Sequence, residues 1–166
     1  MTQLDHLYRV ALHLAKEPDD ARDLVQESYA SALNAWEQFA RGTNMKAWLT
    51  KILYNHFFDY CKQRKRWASL EPQGGESKPH PSYPESMLAA ENPGPERHLQ
   101  HKELGAGIVA ALAKIPEQFR APVVLVDAAE LSYAEAAEIL SCPVGTVRSR
   151  LSRGRALLRK HLKGYR

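Results

Sequence analysis

The groups on this chain most able to do chemistry are cations, and they are concentrated. From Val144 to Arg166 eight arginines and lysines occur without one aspartate or glutamate. Four side chains in that run, Arg148, Ser149, Ser152 and Arg153, fall on the early exposed face of a predicted helix. Arginine there can bridge the two acceptors of guanine in a major groove, and serine can hydrogen-bond base edges or phosphates. A second cluster, Lys62, Arg64, Lys65 and Arg66, lies among Trp48, Tyr54, Phe57, Phe58, Tyr60 and Trp67. Aromatics interleaved with bases suit unstacked single-stranded nucleic acid. Both clusters have a plainer reading. A basic face can simply be solvated, a basic helix end can simply complement the macrodipole, and most of those aromatics are candidates for the core.

Catalytic chemistry finds less support. The seven histidines are scattered. His98 and His101 can share a helix face, but no carboxylate or cysteine completes a metal-ligand set around them. No P-loop, GxSxG or GxGxxG motif occurs. Cys61 and Cys142 are far apart and neither belongs to a CxxC pair, so they read as reduced thiols rather than a disulfide or a zinc site. The expectation is a protein with no active site, no cofactor and no metal.

Local sequence supplies the elements that must hold the cations. Ser132-Tyr-Ala-Glu135 is a capping box, in which the serine accepts from the third amide and the glutamate reaches back. It opens a short helix, 133–140, whose small Ala137 allows a close crossing. Ser141-Cys142-Pro143 is a tight turn, with Pro143 suited to the first position of a following helix. That helix keeps Val147, Leu151, Gly154, Leu158 and Leu162 on one face and spans about 28 Å. Two helices joined in this way resemble a helix-turn-helix. Upstream, Leu104, Ile108, Ala111 and Leu112 mark a helix stopped near Pro116. Another is expected over about 117–129, kinked at Pro122.

Residues 1–70 read as all helix. Asp19 or Asp20 can cap a helix running to about Phe39, with Val25, Tyr29, Ala32, Leu33 and Trp36 as its apolar stripe. Asn44 can cap the next, whose buried face is Met45, Trp48, Leu49, Ile52, Leu53, His56 and Tyr60. Between the two halves, residues 71–100 hold six of the ten prolines, three of the nine glycines, five acids and two bases. This composition reads as a linker. The chain is thus all-α, with helical domains at 1–70 and 101–166 and a flexible linker at 71–100. Net charge divides as +2, −3 and +5 over residues 1–70, 71–100 and 101–166. No apolar run is long enough to cross a bilayer, and the opening MTQLDHLYRV lacks the pattern of a signal peptide, so a cytoplasmic location without membrane insertion is expected.

The motifs together resemble one family, the extracytoplasmic-function (ECF) sigma factors, small members of the main bacterial sigma family. DARDLVQESYASALNAWEQF (20–39) is similar to the family's polymerase-binding segment. MKAWLTKILYNHFFDYCKQRKRW (45–67) looks like its WL-x-x-I-x-x-N-x-x-x-D segment, through Trp48, Leu49, Ile52, Asn55 and Asp59. The run GTVRSRLSRGR, within 112–162, looks like its C-terminal DNA-binding domain. The resemblance implies that 1–70 is a region 2-like domain and 101–166 a region 4-like helix-turn-helix domain. It implies that Asp23, Leu24, Gln26 and Glu27 face the clamp helices of core RNA polymerase. Asn55 and the loop from Phe39 to Asn44 would read the minus-ten element as melted single strand, and Lys62, Arg64 and Arg66 would hold nearby phosphates. Arg148, Ser149, Ser152 and Arg153 would read the minus-thirty-five element as duplex. An anti-sigma factor is the implied regulator, and a stress or external signal the implied cue. The chain departs from the family at Gly154, where alanine is usual, and at His56 and Cys61.

The implied promoter elements lie roughly 17 base pairs apart, about 60 Å along the duplex. Thirty linker residues can reach about 100 Å. Read without the resemblance, two other classes stay open: a helix-turn-helix repressor or activator with a helical dimerisation domain, and an adaptor binding protein partners through its N-terminal helices.

Overall fold

The structure, a computed structural model, describes residues 3–70 and 105–163, and every regular element among them is helical. The expected linker at 71–100 lies outside the described residues. In the first unit α1 (Gln3–Ala15) buries Leu7, Val10, Ala11 and Leu14, the 3-1-3 spacing of one helix face. It ends at Lys16, which takes a left-handed backbone, φ 77°. α2 (Pro18–Asn34) begins without a side-chain cap. Asp19 and Asp20 lie in its first turn rather than capping it, because Pro18, lacking an N–H, already occupies the start. A single 3-10 turn, Trp36–Gln38, follows it.

The stripe expected on α2 is displaced. Ala21, Leu24, Val25, Ser28 and Ala32 face the core, whereas Leu33 and Trp36 are 73% and 54% exposed. Leu33 and Trp36 satisfy helical periodicity with Tyr29 and Ala32, but α1 and α3 both pack on the neighbouring face. α3 (Met45–Leu70) is held to the core by Leu49, Leu53 and Phe57 at steps of four. Thr50 is buried on the same side and lies 3.3 Å from His6 Nε2. Asn44 caps α3 as expected: its Oδ1 accepts from the Lys46 and Ala47 amides at 3.1 and 3.4 Å.

In the second unit residues 105–113 form a helix, α4, and α5 (Glu117–Val123) continues into a π-helical turn, Val124–Ala128. The expectation was one helix with a kink at Pro122. The break instead takes the form of a wider turn just beyond the proline, closed by Ala129 N–H to the Val124 carbonyl at 2.9 Å. α6 (Tyr133–Leu140) carries both halves of the capping box: Ser132 Oγ accepts from the Glu135 amide at 3.2 Å, and Glu135 Oε2 accepts from the Ser132 amide at 2.8 Å. Ser141, in a left-handed conformation, ends α6, and α7 (Val144–Leu162) starts one residue after Pro143. α7 crosses α5 where Gly154 is buried. A Cβ at Gly154 would meet the Phe119 carbonyl and lie 2.6 Å from Val123 Cγ2.

Candidate nucleic-acid interface

The two short helices and their turn present α7 with its apolar face, Val147 and Leu151, against α5 and α6. The opposite face therefore points outward. Arg148, Ser149, Ser152 and Arg153 are all exposed there. The Arg148 guanidinium lies 5.5 Å from the centre of the Tyr133 ring, which steadies it at the mouth of the motif. Ser149 Oγ donates to the Thr146 carbonyl at 3.0 Å, leaving its lone pairs outward as acceptors. Arg155 belongs to the same basic run but is committed elsewhere. It forks onto Asp127 with bonds of 2.6 and 3.0 Å, and those bonds raise its already high pKa. A basic count taken from the sequence therefore overstates the cations that α7 can offer a phosphate.

The first unit divides its candidates by helical phase. At 100° per residue, Asn55, Lys62 and Arg66 share one face of α3, because spacings of 7 and 4 return to nearly the same angle. Asn55 is exposed, and Lys62 Nζ sits 4.4 Å over the Phe58 ring. Arg64 is half a turn away from Asn55, on the opposite face. Its Nη1 donates to Tyr60 Oη at 3.1 Å, and Tyr60 in turn donates to Asp20 Oδ2 at 2.6 Å. Burial, together with the Asp20 bond, pushes the Tyr60 hydroxyl up to about 12. The structure thus does not bring Arg64 together with Asn55, Lys62 and Arg66. Trp36, Phe39 and Trp48 cluster beside the 39–44 loop, with ring centres 5.0 to 6.4 Å apart. Phe39 opens the loop that the sequence reading assigned to bases, but Trp36 had no place in that surface; the available signal was its position three residues before the loop.

Of the residues implied in polymerase contact, Gln26 and Glu27 are exposed and Asp23 is half-buried. Leu24, at 3% exposure, is a core residue that reaches the surface only at the floor of the groove beside Asp23 and Glu27. Asp23 and Glu27 line a groove of about 300 Å³ between α2 and α3, together with Asp20, His56, Asp59 and Tyr60. His56 spans the two helices, with Nε2 2.8 Å from Ser31 Oγ and Nδ1 3.6 Å from Glu27 Oε2. This serine–histidine–carboxylate row stops short of catalytic geometry: Ser31 sits in the last turn of α2, where neighbouring amides already serve helical bonds and leave no oxyanion donor. Among the described residues no group of three or more His, Cys, Asp or Glu is placed to hold a metal ion, and no helix is long and apolar enough to cross a membrane.

Comparison with known proteins places these units in a family. Residues 2–67 match the Sigma-70 region 2 model and residues 106–158 the Sigma-70, region 4 model. The chain is 38% identical over 160 residues to the ECF RNA polymerase sigma factor SigE of Mycolicibacterium smegmatis, covering 95% of this chain and 58% of SigE. It is 39% identical over 149 residues to the ECF sigma factor EcfG of Rhodopseudomonas palustris, covering 89% of this chain and 74% of EcfG. Among solved structures it is similar to the sigma factor RpoE of Bartonella quintana, crystallised with the anti-sigma factor NepR. That match has a TM-score of 0.73 and 29% identity over 99% of this chain and 94% of RpoE.

Proposed function

Because the chain belongs to the ECF group of RNA polymerase sigma factors, we propose that it binds core RNA polymerase and directs promoter-specific initiation of transcription. One observation carries the reading: a region 2 unit and a basic helix-turn-helix follow one another in a single chain, each with an outward face of cations. Residues 1–70 would bind core enzyme and the melted minus-ten element. Residues 101–166 would bind the minus-thirty-five element as duplex, with 71–100 joining them. Asp23, Gln26 and Glu27 would form the polymerase surface, Asn55, Lys62 and Arg66 the single-strand surface, and Arg148, Ser149, Ser152 and Arg153 the duplex surface. The protein acts by binding alone, and its place of work is the cytoplasm, with the polymerase. An anti-sigma factor is the proposed regulator, as NepR is for RpoE. A repressor with a dimerisation domain accounts less well for a first unit that matches region 2 over 2–67.

The test is transcription in vitro with core polymerase on a genomic promoter library. The expected result is initiation at a defined subset of promoters. Arg148→Ala and Arg153→Ala should each weaken use of those promoters by about 1–3 kcal/mol, the range for a lost base contact. Absence of initiation at every promoter defeats the function. Normal use of every promoter by either variant defeats the duplex assignment.

A further inference from the structure

The first and second units touch, and they touch on the nucleic-acid face of α3. Asn44 and Lys51 precede Asn55 by 11 and 4 residues, so Asn44, Lys51, Asn55, Lys62 and Arg66 form one row along that helix. The N-terminal end of the row is occupied by carboxylates from α6. Asn44 Nδ2 donates to Glu135 Oε1 at 2.8 Å, and Lys51 Nζ pairs with Glu138 Oε1 at 2.6 Å. At the edge, Lys46 Nζ lies 3.9 Å from Glu130 Oε2. Contacts this close cannot coexist with two units set about 60 Å apart along a duplex. The described arrangement is therefore a closed form of the chain, distinct from one engaged with both promoter elements.

We infer that Lys51, with Asn44 and Lys46, is a further binding site for nucleic-acid phosphate, and that the carboxylates of Glu130, Glu135 and Glu138 occupy it as internal stand-ins for that phosphate. The inference rests on the proposed function, since it takes the Asn55 face of α3 as the single-strand face. Three features support it. The lysine lies in helical register with the residues proposed to follow the strand. Its partner is an oxyanion that the chain itself supplies. The pairs are solvent-exposed, with about half of each lysine side chain accessible, so a competing polyanion can displace them without entering a dry core. Opening the seam and binding the strand are then one exchange: Lys51 trades Glu138 for a phosphate.

The experiment uses the full free chain and a labelled oligothymidine strand of about 20 nucleotides, long enough to follow one such row. Strand affinity is read by fluorescence anisotropy across a salt series, and closure by small-angle scattering. Glu130→Gln with Glu138→Gln leaves the capping box intact and should expand the chain. It should raise strand affinity about ten-fold, the gain expected when a competent form rises from about a tenth of the population to most of it. Glu17→Gln with Asp19→Asn removes the same charge at exposed positions around the start of α2 and should do neither. Adding Lys51→Gln to the opened double variant should lower the slope of log affinity against log salt by about 0.7, the signature of one lost phosphate contact. Equal affinity in the double variant and its charge control overturns the inference, as does an unchanged scattering profile. A salt slope unmoved by Lys51→Gln also overturns it. A chain that passes transcription but fails here loses only this inference; one that fails transcription everywhere loses the function.

Discussion

Gly154 is the position at which a family habit and this chain's packing part company. Alanine would gain about 1 kcal/mol of helix propensity there. The methyl group, however, would press on the Phe119 carbonyl, a backbone atom that cannot rotate away, and on Val123. Overpacking of this kind costs about 1–3 kcal/mol. Gly154→Ala should therefore destabilise the second unit by about 1 kcal/mol net, the midpoint of that balance. The measurement is the urea midpoint of the full chain; an unchanged or higher midpoint would mean that α5 and α7 separate at no cost. Single residues also mark where sequence reading reaches its limit. Arg148 and Arg153 were legible because a helix with one apolar face must point its other residues outward. The fates of Arg64, bonded to Tyr60, and Arg155, forked onto Asp127, depend on partners in space. A count of cations does not contain that information.

At the level of elements, what was legible obeyed short-range rules. The capping box, the turn at 141–143 and the Asn44 cap each involve atoms within a few residues, so their chemistry is written locally. Ser132→Ala should remove the accepting half of the box and cost about 1 kcal/mol, while Ser132→Asp, which keeps an acceptor, should retain most of it. Chemical unfolding of both variants decides this; equal losses would show that the hydroxyl is not the stabilising group. The elements misjudged were those settled at longer range. The α2 stripe was placed one step round the helix because periodicity gives a face but not the neighbour that covers it. The break after Pro122 was foreseen as a kink, since a missing N–H announces lost pairing. Whether a π turn absorbs that loss is decided by packing of the buried Val124 and Leu125.

At the scale of the molecule, α1 of the first unit lies against the π turn of the second, and Arg9 Nη2 donates to the Ala128 carbonyl at 3.3 Å. Beside that bond His13 faces a groove of about 320 Å³ walled by Ile108, Leu112, Val124 and Leu158 and edged by Arg9, Asp127 and Glu130. Burial, then the Arg9 charge, lowers the His13 pKa to about 4. Burial also lowers His6, reinforced by Lys46 and Arg9. A histidine kept neutral by the fold contributes stability that is whole above its unfolded value near 6.5 and is lost as pH falls toward about 4. His13 alone should cost roughly 2 kcal/mol between pH 7 and pH 5. Unfolding of the parent and of His13→Gln at the two pH values checks this. The variant should lose less on acidification, keeping only the part due to His6, and an identical loss in both would clear His13 of the effect. None of the residue pairings in this seam was legible beforehand. Residues 44 and 135 are 91 positions apart, and nothing local in either announces the other.

Covering a lysine with a carboxylate from the same chain has a consequence for dosage. A separate inhibitor can be outnumbered when its target is made in excess. Here every copy of Lys51 arrives with its own Glu138, in a ratio fixed at one to one by the covalent chain. A tethered group acts at an effective concentration in the millimolar range for short flexible connections, whatever the abundance of the protein. Making more of the protein would therefore leave the open fraction where it was, and only a ligand that prefers the open form would change it.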